Sequence, residues 1–465
     1  MNNPLTHRDI QGWLRETDPV RLEELWRCAN ATRREQVGDA VYLRGLIEIS
    51  NFCSRQCTYC GLRAGNAQLA RYRMLPEEIL EAARQAVKFG YGTVVLQGGE
   101  DYGITTTGMA DIVRQIKAET PLAVTLSLGE RPERDLVAWR EAGADRYLLR
   151  FETSDRELFD EIHPPLGNRK CDRVAILRRL QSLGYETGSG IMVGIPGQTY
   201  ASVADDIALF RDLNLDMIGI GPFIPHPNTP LGIGFKTFPT PAREQVPNNE
   251  LMVYKAVALT RLVRPDANIP ATTALATINK TNGRELGLQR GANVFMPNLT
   301  PLKYRRLYEI YPAKACITET DVKCNGCLSA RIRAIGRHIG QGQGGRWNRQ
   351  PASQPCPNVN CAMPENPDNA LANRNDPVPS AVKIAICMGS SCFSRGNSRN
   401  IEVVQDFLKT QNLPPSVELS GHLCEGHCKA GPNVMINGKL YHEVDPIVIL
   451  ALLNHFLADA TQRRS

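Results

Sequence analysis

The chain has 465 residues, enough for one large barrel plus a smaller unit, or for about three domains at roughly 150 residues each. Apolar residues make up 42% and charged residues 22%, ordinary for a globular protein with a sizeable core. The net charge of +6 is too dilute over this length to point to nucleic acid. No run approaches the roughly 18 apolar residues of a membrane span, and the first residues lack the apolar core of a signal peptide, so a cytoplasmic location is expected.

Taken in chain order, β-rich runs alternate with amphipathic stretches. Strands are predicted at 41–50, 93–97, 123–128, 146–151, 189–193, 217–220, 268–275 and 292–295. Between the first two, Pro76 opens a helix on which Ile79, Leu80, Ala83, Ala86 and Val87 recur at helical spacing. Similar periodicity falls at 109–118, 134–142, 172–183, 202–213 and 249–262. Eight strands with intervening helices predict a parallel (β/α)8 barrel of TIM type, because no second wing of strands is left for an open sheet. The strands finish in glycine, small or polar residues, such as Gly98-Gly99-Glu100 after the second. That is the carboxyl face on which barrel enzymes place their chemistry.

Residues 341–380 are rich in Gly, Gln, Asn and Pro without apolar periodicity, the composition of a linker. A second, small α+β unit is predicted from 381 to 465. It has strands at 382–386 and 417–419, a helix at 401–409, a hairpin around Asn437-Gly438 and a closing helix at 446–457. The first 340 residues then form the barrel, with an N-terminal helical segment and a C-terminal extension.

Fourteen cysteines dominate the chemistry, and all but Cys28 and Cys171 are clustered. In a reducing compartment such clusters point to metal rather than to disulfides. Cys53, Cys57 and Cys60 offer three thiolates directly after the first strand. Three cysteines on a 4Fe–4S cube leave one iron open to chelate a small molecule and pass it an electron. A structural zinc site would need a fourth ligand, and none stands nearby. In the small unit, Cys387-x4-Cys392 and Cys424-x3-Cys428 suit a 2Fe–2S cluster with every iron closed, hence electron transfer, with zinc as the alternative. Cys356 and Cys361 lie in the linker without an assigned role.

The stretch Cys53-Ser54-Arg55-Gln56-Cys57-Thr58-Tyr59-Cys60 resembles the signature of the radical S-adenosylmethionine superfamily, and Gly98-Gly99-Glu100 resembles its second motif. Residues from about 20 to 340 further resemble the HydE maturases of FeFe hydrogenases. The resemblance is carried by Gln97-Gly98-Gly99-Glu100, Ser127-Leu128-Gly129-Glu130, Arg150-Phe151-Glu152-Thr153, 192–199 and Pro270-Ala271-Thr272-Thr273-Ala274. The small unit is similar to thioredoxin-like 2Fe–2S ferredoxins, a fusion that departs from the usual stand-alone HydE barrel.

The resemblance implies a 4Fe–4S cluster on Cys53, Cys57 and Cys60, and S-adenosylmethionine cleaved there to a 5′-deoxyadenosyl radical. It also implies a cysteine-bound iron carbonyl cyanide substrate supplied by a partner maturase, and an electron donor. Cofactor-binding positions are then Tyr59, Gly98, Gly99, Glu100, Thr125, Arg150, Glu152 and Arg173. Charge complementarity agrees: Glu100 and Glu152 suit the cationic parts, Arg150 and Arg173 the carboxylate. Arg150 and Glu152 alternate along one predicted strand and so point together into the barrel. Arg173 reads equally as an ordinary exposed arginine, and Thr125 equally as core filling. The resemblance places Thr272, Thr273, Met296, Tyr308 and Tyr311 in the substrate cavity, although the two tyrosines also read as a packing pair. It further allows an accessory iron–sulfur cluster on Cys316, Cys324 and Cys327, where zinc or free thiols remain open. Two other functions fit the motifs: a radical enzyme acting on an organic substrate, as in biotin synthase or methylornithine synthase, and a non-catalytic multi-cluster electron carrier.

Overall fold

Strand runs such as Thr93–Gly98 and Ala123–Ser127 are apolar on both faces, and this double burial commits them to a parallel sheet covered by helices. The computed structural model describes residues 5–167, 170–234, 238–315, 317, 321–346, 382–389, 392–410, 417–422, 431–442, 444, 446, 448–449 and 452–453. The chain divides into a large unit ending at residue 362 and a small one from 363 that also takes in 16–24.

In the large unit the strands are β1 (Ala40–Ser50), β2 (Thr93–Gly98), β3 (Ala123–Ser127), β4 (Arg146–Leu148), β5 (Glu186–Val193), β6 (Met217–Pro222), β7 (Pro270–Ala271) and β8 (Val294–Phe295). They pair in the order β6-β5-β4-β3-β2-β1-β8-β7, all parallel. A bridge between Met217 and Asn268 closes the gap between the ends of this order, with Ile218 N donating to Asn268 O at 2.9 Å. This is the predicted eight-stranded parallel barrel. A short strand, β9 (His338–Ile339), adds to the start of β1.

Of the boundaries that differ from the expectations, three have a clear physical reason. The fourth strand ends at Leu148, because the backbone leaves regular pairing and reaches a left-handed conformation at Glu152 (φ 63°). The seventh shrinks to two residues, because Thr272 already caps the helix Thr273–Ile278 through its hydroxyl. Residues 341–346, expected to begin the linker, are packed into the amino-terminal mouth of the barrel. There Gly344 O accepts from Asn268 Nδ2 at 3.1 Å, Gln343 O accepts from Thr93 Oγ1 at 2.8 Å, and Arg346 pairs with Asp216 at 2.9 Å. Cys356 and Cys361 lie outside the described residues.

The small unit is a four-stranded mixed sheet. β10 (Val382–Cys387) runs parallel to β11 (Val417–His422) and antiparallel to β12 (Val434–Ile436), which forms a hairpin with β13 (Lys439–Tyr441). The hairpin turns on Asn437 (φ 50°) and Gly438 (φ 79°), the expected pair of left-handed residues. Ile384, Ile386, Val434 and Ile436 pack on Val404 of the helix Ser398–Thr410. Among the described residues no helix is long and apolar enough to cross a membrane.

Candidate active site

The three motif cysteines sit on the loop leaving β1, and that loop is held by backbone bonds on several sides. Ser54 N donates to Glu100 O at 2.9 Å, Thr58 N to Ile162 O at 2.9 Å, and Gly61 N to Ile310 O at 3.0 Å. The turn after β2 presses directly against it. A Cβ at Gly99 would stand 2.2 Å from Phe52 O, so only glycine permits this approach, and Glu100 N reaches Cys53 Sγ at 3.4 Å. Cys57 is buried, Cys53 and Cys60 partly so. Burial raises all three thiol pKa values, Cys60 up to about 12.

The thiols open on a cavity of about 240 Å³ at the carboxyl face of the barrel. Tyr59, Gly98, Gly99, Glu100, Arg150, Glu152 and Arg173 all line it, and so do Tyr308 and Tyr311 from the segment after β8. Thr125 is buried on β3 and does not line it; its hydroxyl has no hydrogen-bond partner among the described residues. Thr272, Thr273 and Met296 are also absent from its wall. Thr272 caps its helix and donates to Ile220 O at 3.1 Å, and the Thr273 hydroxyl accepts from Arg284 at 3.1 Å. Arg150 and Glu152 do meet, with Nη2 and Oε2 3.2 Å apart, but on irregular backbone beyond β4 rather than by strand alternation.

A buried ion-pair chain runs behind the cavity, and most of it was not assigned a role from sequence. Arg55, between the first two cysteines, donates from Nε to Glu100 Oε1 at 2.7 Å and from Nη2 to Glu130 Oε2 at 2.6 Å. Glu130 N closes the ring by donating to Glu100 Oε2 at 2.9 Å. Glu130 Oε1 in turn accepts from Arg173 Nε at 2.9 Å and from the Cys171 thiol at 2.6 Å. Arg173, far from exposed, also donates to Arg150 O at 2.5 Å and contacts His163. Burial and the adjacent Arg173 and Arg55 charges push His163 down to about 2, so its ring is neutral. Burial and the Glu130 carboxylate push the Cys171 thiol up to about 12. The Ser127–Glu130 stretch marked this region in the sequence; Cys171 stood alone there and carried no signal.

The remaining cysteines are only partly described. Cys387 and Cys392 are buried in the small unit, where Asn433 Nδ2 lies 3.6 Å from Cys392 Sγ. Cys424 and Cys428 lie outside the described residues, as do Cys316 and the side chains of Cys324 and Cys327 on the helix Asp321–Ala334.

A parallel barrel with three cysteines after β1, facing a Gly-Gly-Glu turn over one cavity, defines a radical S-adenosylmethionine protein. The family model "Radical SAM superfamily" matches residues 47–221, and "Thioredoxin-like [2Fe-2S] ferredoxin" matches 374–457. The chain is 48% identical over 324 residues to the [FeFe] hydrogenase maturase subunit HydE of Thermotoga maritima, covering 70% of this chain and 89% of that one. It belongs to the HydE family, as a radical S-adenosylmethionine enzyme of hydrogenase maturation carrying an added ferredoxin unit. It is also 29% identical over 292 residues to 3-methylornithine synthase of Methanosarcina acetivorans, covering 62% of this chain and 78% of the relative. The crystal structure of methylornithine synthase (PylB) shares the fold, with a TM-score of 0.61 at 24% identity, covering 73% of this chain and 95% of that one.

Membership implies a 4Fe–4S cluster and S-adenosylmethionine in the barrel and a 2Fe–2S cluster in the small unit. The barrel residues fit. Three thiols converge on one cavity, and Arg150 Nε is buried beside it without a hydrogen-bond partner among the described residues. A cationic donor left bare in this way costs stability unless a ligand oxygen meets it.

Proposed function

We propose that the barrel directs a 5′-deoxyadenosyl radical at the sulfur of a cysteine-bound iron carbonyl cyanide complex, a step in assembling the diiron subcluster of FeFe hydrogenase. The cluster and S-adenosylmethionine together supply that radical by one-electron cleavage of a carbon–sulfur bond. Cys53, Cys57 and Cys60 hold the cluster. Glu100 and Glu152 offer carboxylates to the cationic parts of S-adenosylmethionine, and Arg150 offers its free Nε to the carboxylate. Arg173 is already bonded to Glu130 and to Arg150 O, so it braces Arg150 rather than taking the carboxylate itself. Tyr308, whose hydroxyl accepts from Gln97 Nε2 at 3.2 Å, and Tyr311 wall the substrate end and exclude water.

One observation carries the reading: a single cavity joins the motif thiols to the two tyrosines beyond β8. The small unit carries an electron-transfer site, and we assign it the role of built-in donor. The test is 5′-deoxyadenosine formation by the reconstituted full chain with a synthetic cysteine-bound iron carbonyl cyanide complex, read alongside activation of apo-hydrogenase in an extract lacking this maturase. Turnover that requires the complex supports the proposal. Turnover only with an amino acid such as lysine shifts the reading to an organic substrate.

A further inference from the structure

Six charged side chains beside the cysteine loop pair off with one another. Arg55 is shared by Glu100 and Glu130, Arg173 is bonded to Glu130, and Arg150 faces Glu152. Three guanidiniums thus meet three carboxylates. Arg71 stands outside this balance: among the described residues no carboxylate lies within ion-pair distance of it. Its donors go to backbone carbonyls instead. Nη1 donates to Asn51 O at 2.6 Å and Leu62 O at 2.8 Å, and Nη2 to Arg63 O at 2.8 Å and Asn66 O at 3.3 Å. Asn51 lies two residues before Cys53 and Leu62 two residues after Cys60, so one guanidinium ties together both ends of the cysteine loop. Arg71 is itself fixed from the barrel side. Its segment bridges β1 at Ser50–Arg73, and Tyr72 N donates to Asn51 Oδ1 at 2.7 Å.

We propose that Arg71 is a positioning residue that clasps the cysteine loop and, through its uncompensated charge, raises the reduction potential of the cluster the loop carries. Reduction adds one negative charge to the cluster, so a nearby cation favours the reduced form, and charge and hydrogen bonding around a cluster are the protein's main levers on its potential. This role rests on the cluster that family membership implies and is independent of which substrate is used.

The test is an EPR-monitored dithionite titration of the reconstituted full chain, comparing wild type with Arg71→Gln and Arg71→Lys. Gln keeps a donor for the carbonyls but removes the charge. It is expected to lower the reduced-to-oxidised ratio of the barrel cluster at fixed potential at least tenfold, about 59 mV for one electron. Lys keeps the charge but not the planar fork, and is expected to hold the potential within that tenfold window while incorporating less iron. An unchanged potential in Arg71→Gln overturns the proposal, as does a shift in Arg71→Lys equal to that in Arg71→Gln. If Arg71→Gln takes up no cluster, Arg71→Lys decides alone: a potential inside the window supports the role, and one outside it overturns it.

Discussion

Glu48 of β1 and Lys314 form an ion pair inside the barrel unit, with Oε1 and Nζ 2.6 Å apart and each side chain only 2% exposed. Lys314 Nζ also donates to Tyr308 O at 2.9 Å, so the pair anchors the tyrosine wall of the cavity to the first strand. Removing one partner leaves a buried charge with no counterion. Lys314→Met is expected to lose about 3–5 kcal/mol of stability. The double variant Glu48→Gln/Lys314→Met should recover part of that loss. Urea unfolding of the apo-protein measures both, and equal losses in the single and double variants would contradict the account.

Arg55 bridges two carboxylates that would otherwise repel one another. Arg55→Met should weaken S-adenosylmethionine binding at least tenfold, because Glu100 loses its orientation, and should also lower stability by about 3–5 kcal/mol. Arg55→Lys, able to reach one carboxylate at a time, should fall between. Calorimetric titration of the reconstituted protein distinguishes the three.

The two glycines of the second motif are not equivalent. A Cβ at Gly98 would meet its nearest neighbour at 3.4 Å, whereas at Gly99 it would sit 2.2 Å from Phe52 O. Gly99→Ala should therefore displace the cysteine loop and cut bound iron and deoxyadenosine formation at least tenfold, whereas Gly98→Ala should retain most of the bound iron. Iron analysis after reconstitution reads the difference directly.

Asp206, fully buried on the helix Tyr200–Asp212, accepts from the Ser154 hydroxyl at 2.6 Å and holds the segment that follows Glu152. Burial pushes its carboxyl up to about 7, with the Ser154 and Thr153 donors acting the other way. The folded value thus lies above the unfolded value of about 3.9, so this group's contribution is complete below pH ~4 and is lost as pH rises towards 7. At about 1.36 kcal/mol per pH unit, the loss across that window is ~4 kcal/mol. Asp206→Asn should remove this component, seen as a smaller change in urea midpoint between pH 5 and pH 8 than in wild type. Identical changes would exclude it.

Ending the chain near residue 380 removes the ferredoxin unit and, on the donor assignment, should slow deoxyadenosine formation at least tenfold with a physiological reductant. Turnover with dithionite should persist. Unchanged turnover under both conditions removes the donor role.

The barrel was legible because β-rich, largely apolar runs alternate with helical periods along the chain. The motif cysteines were legible because their ligand spacing is local. Arg55 and Arg71 were not, because their meaning depends on partners such as Glu130 and Leu62 that only the closed barrel and the folded loop bring near. Arg150 and Glu152 came together as expected, yet through a left-handed residue that no alternation pattern encodes. Residues 341–346 read as linker because their contacts with Thr93, Asn268 and Asp216 are backbone and charge contacts, invisible to apolar periodicity.

That short segment works as a tie at the amino-terminal end of the cylinder. Gln343 O bonds Thr93 at the start of β2, Gly344 O bonds Asn268 just before β7, and Arg346 pairs with Asp216 just before β6, so the segment reinforces closure where β6 meets the approach to β7 through a single bridge.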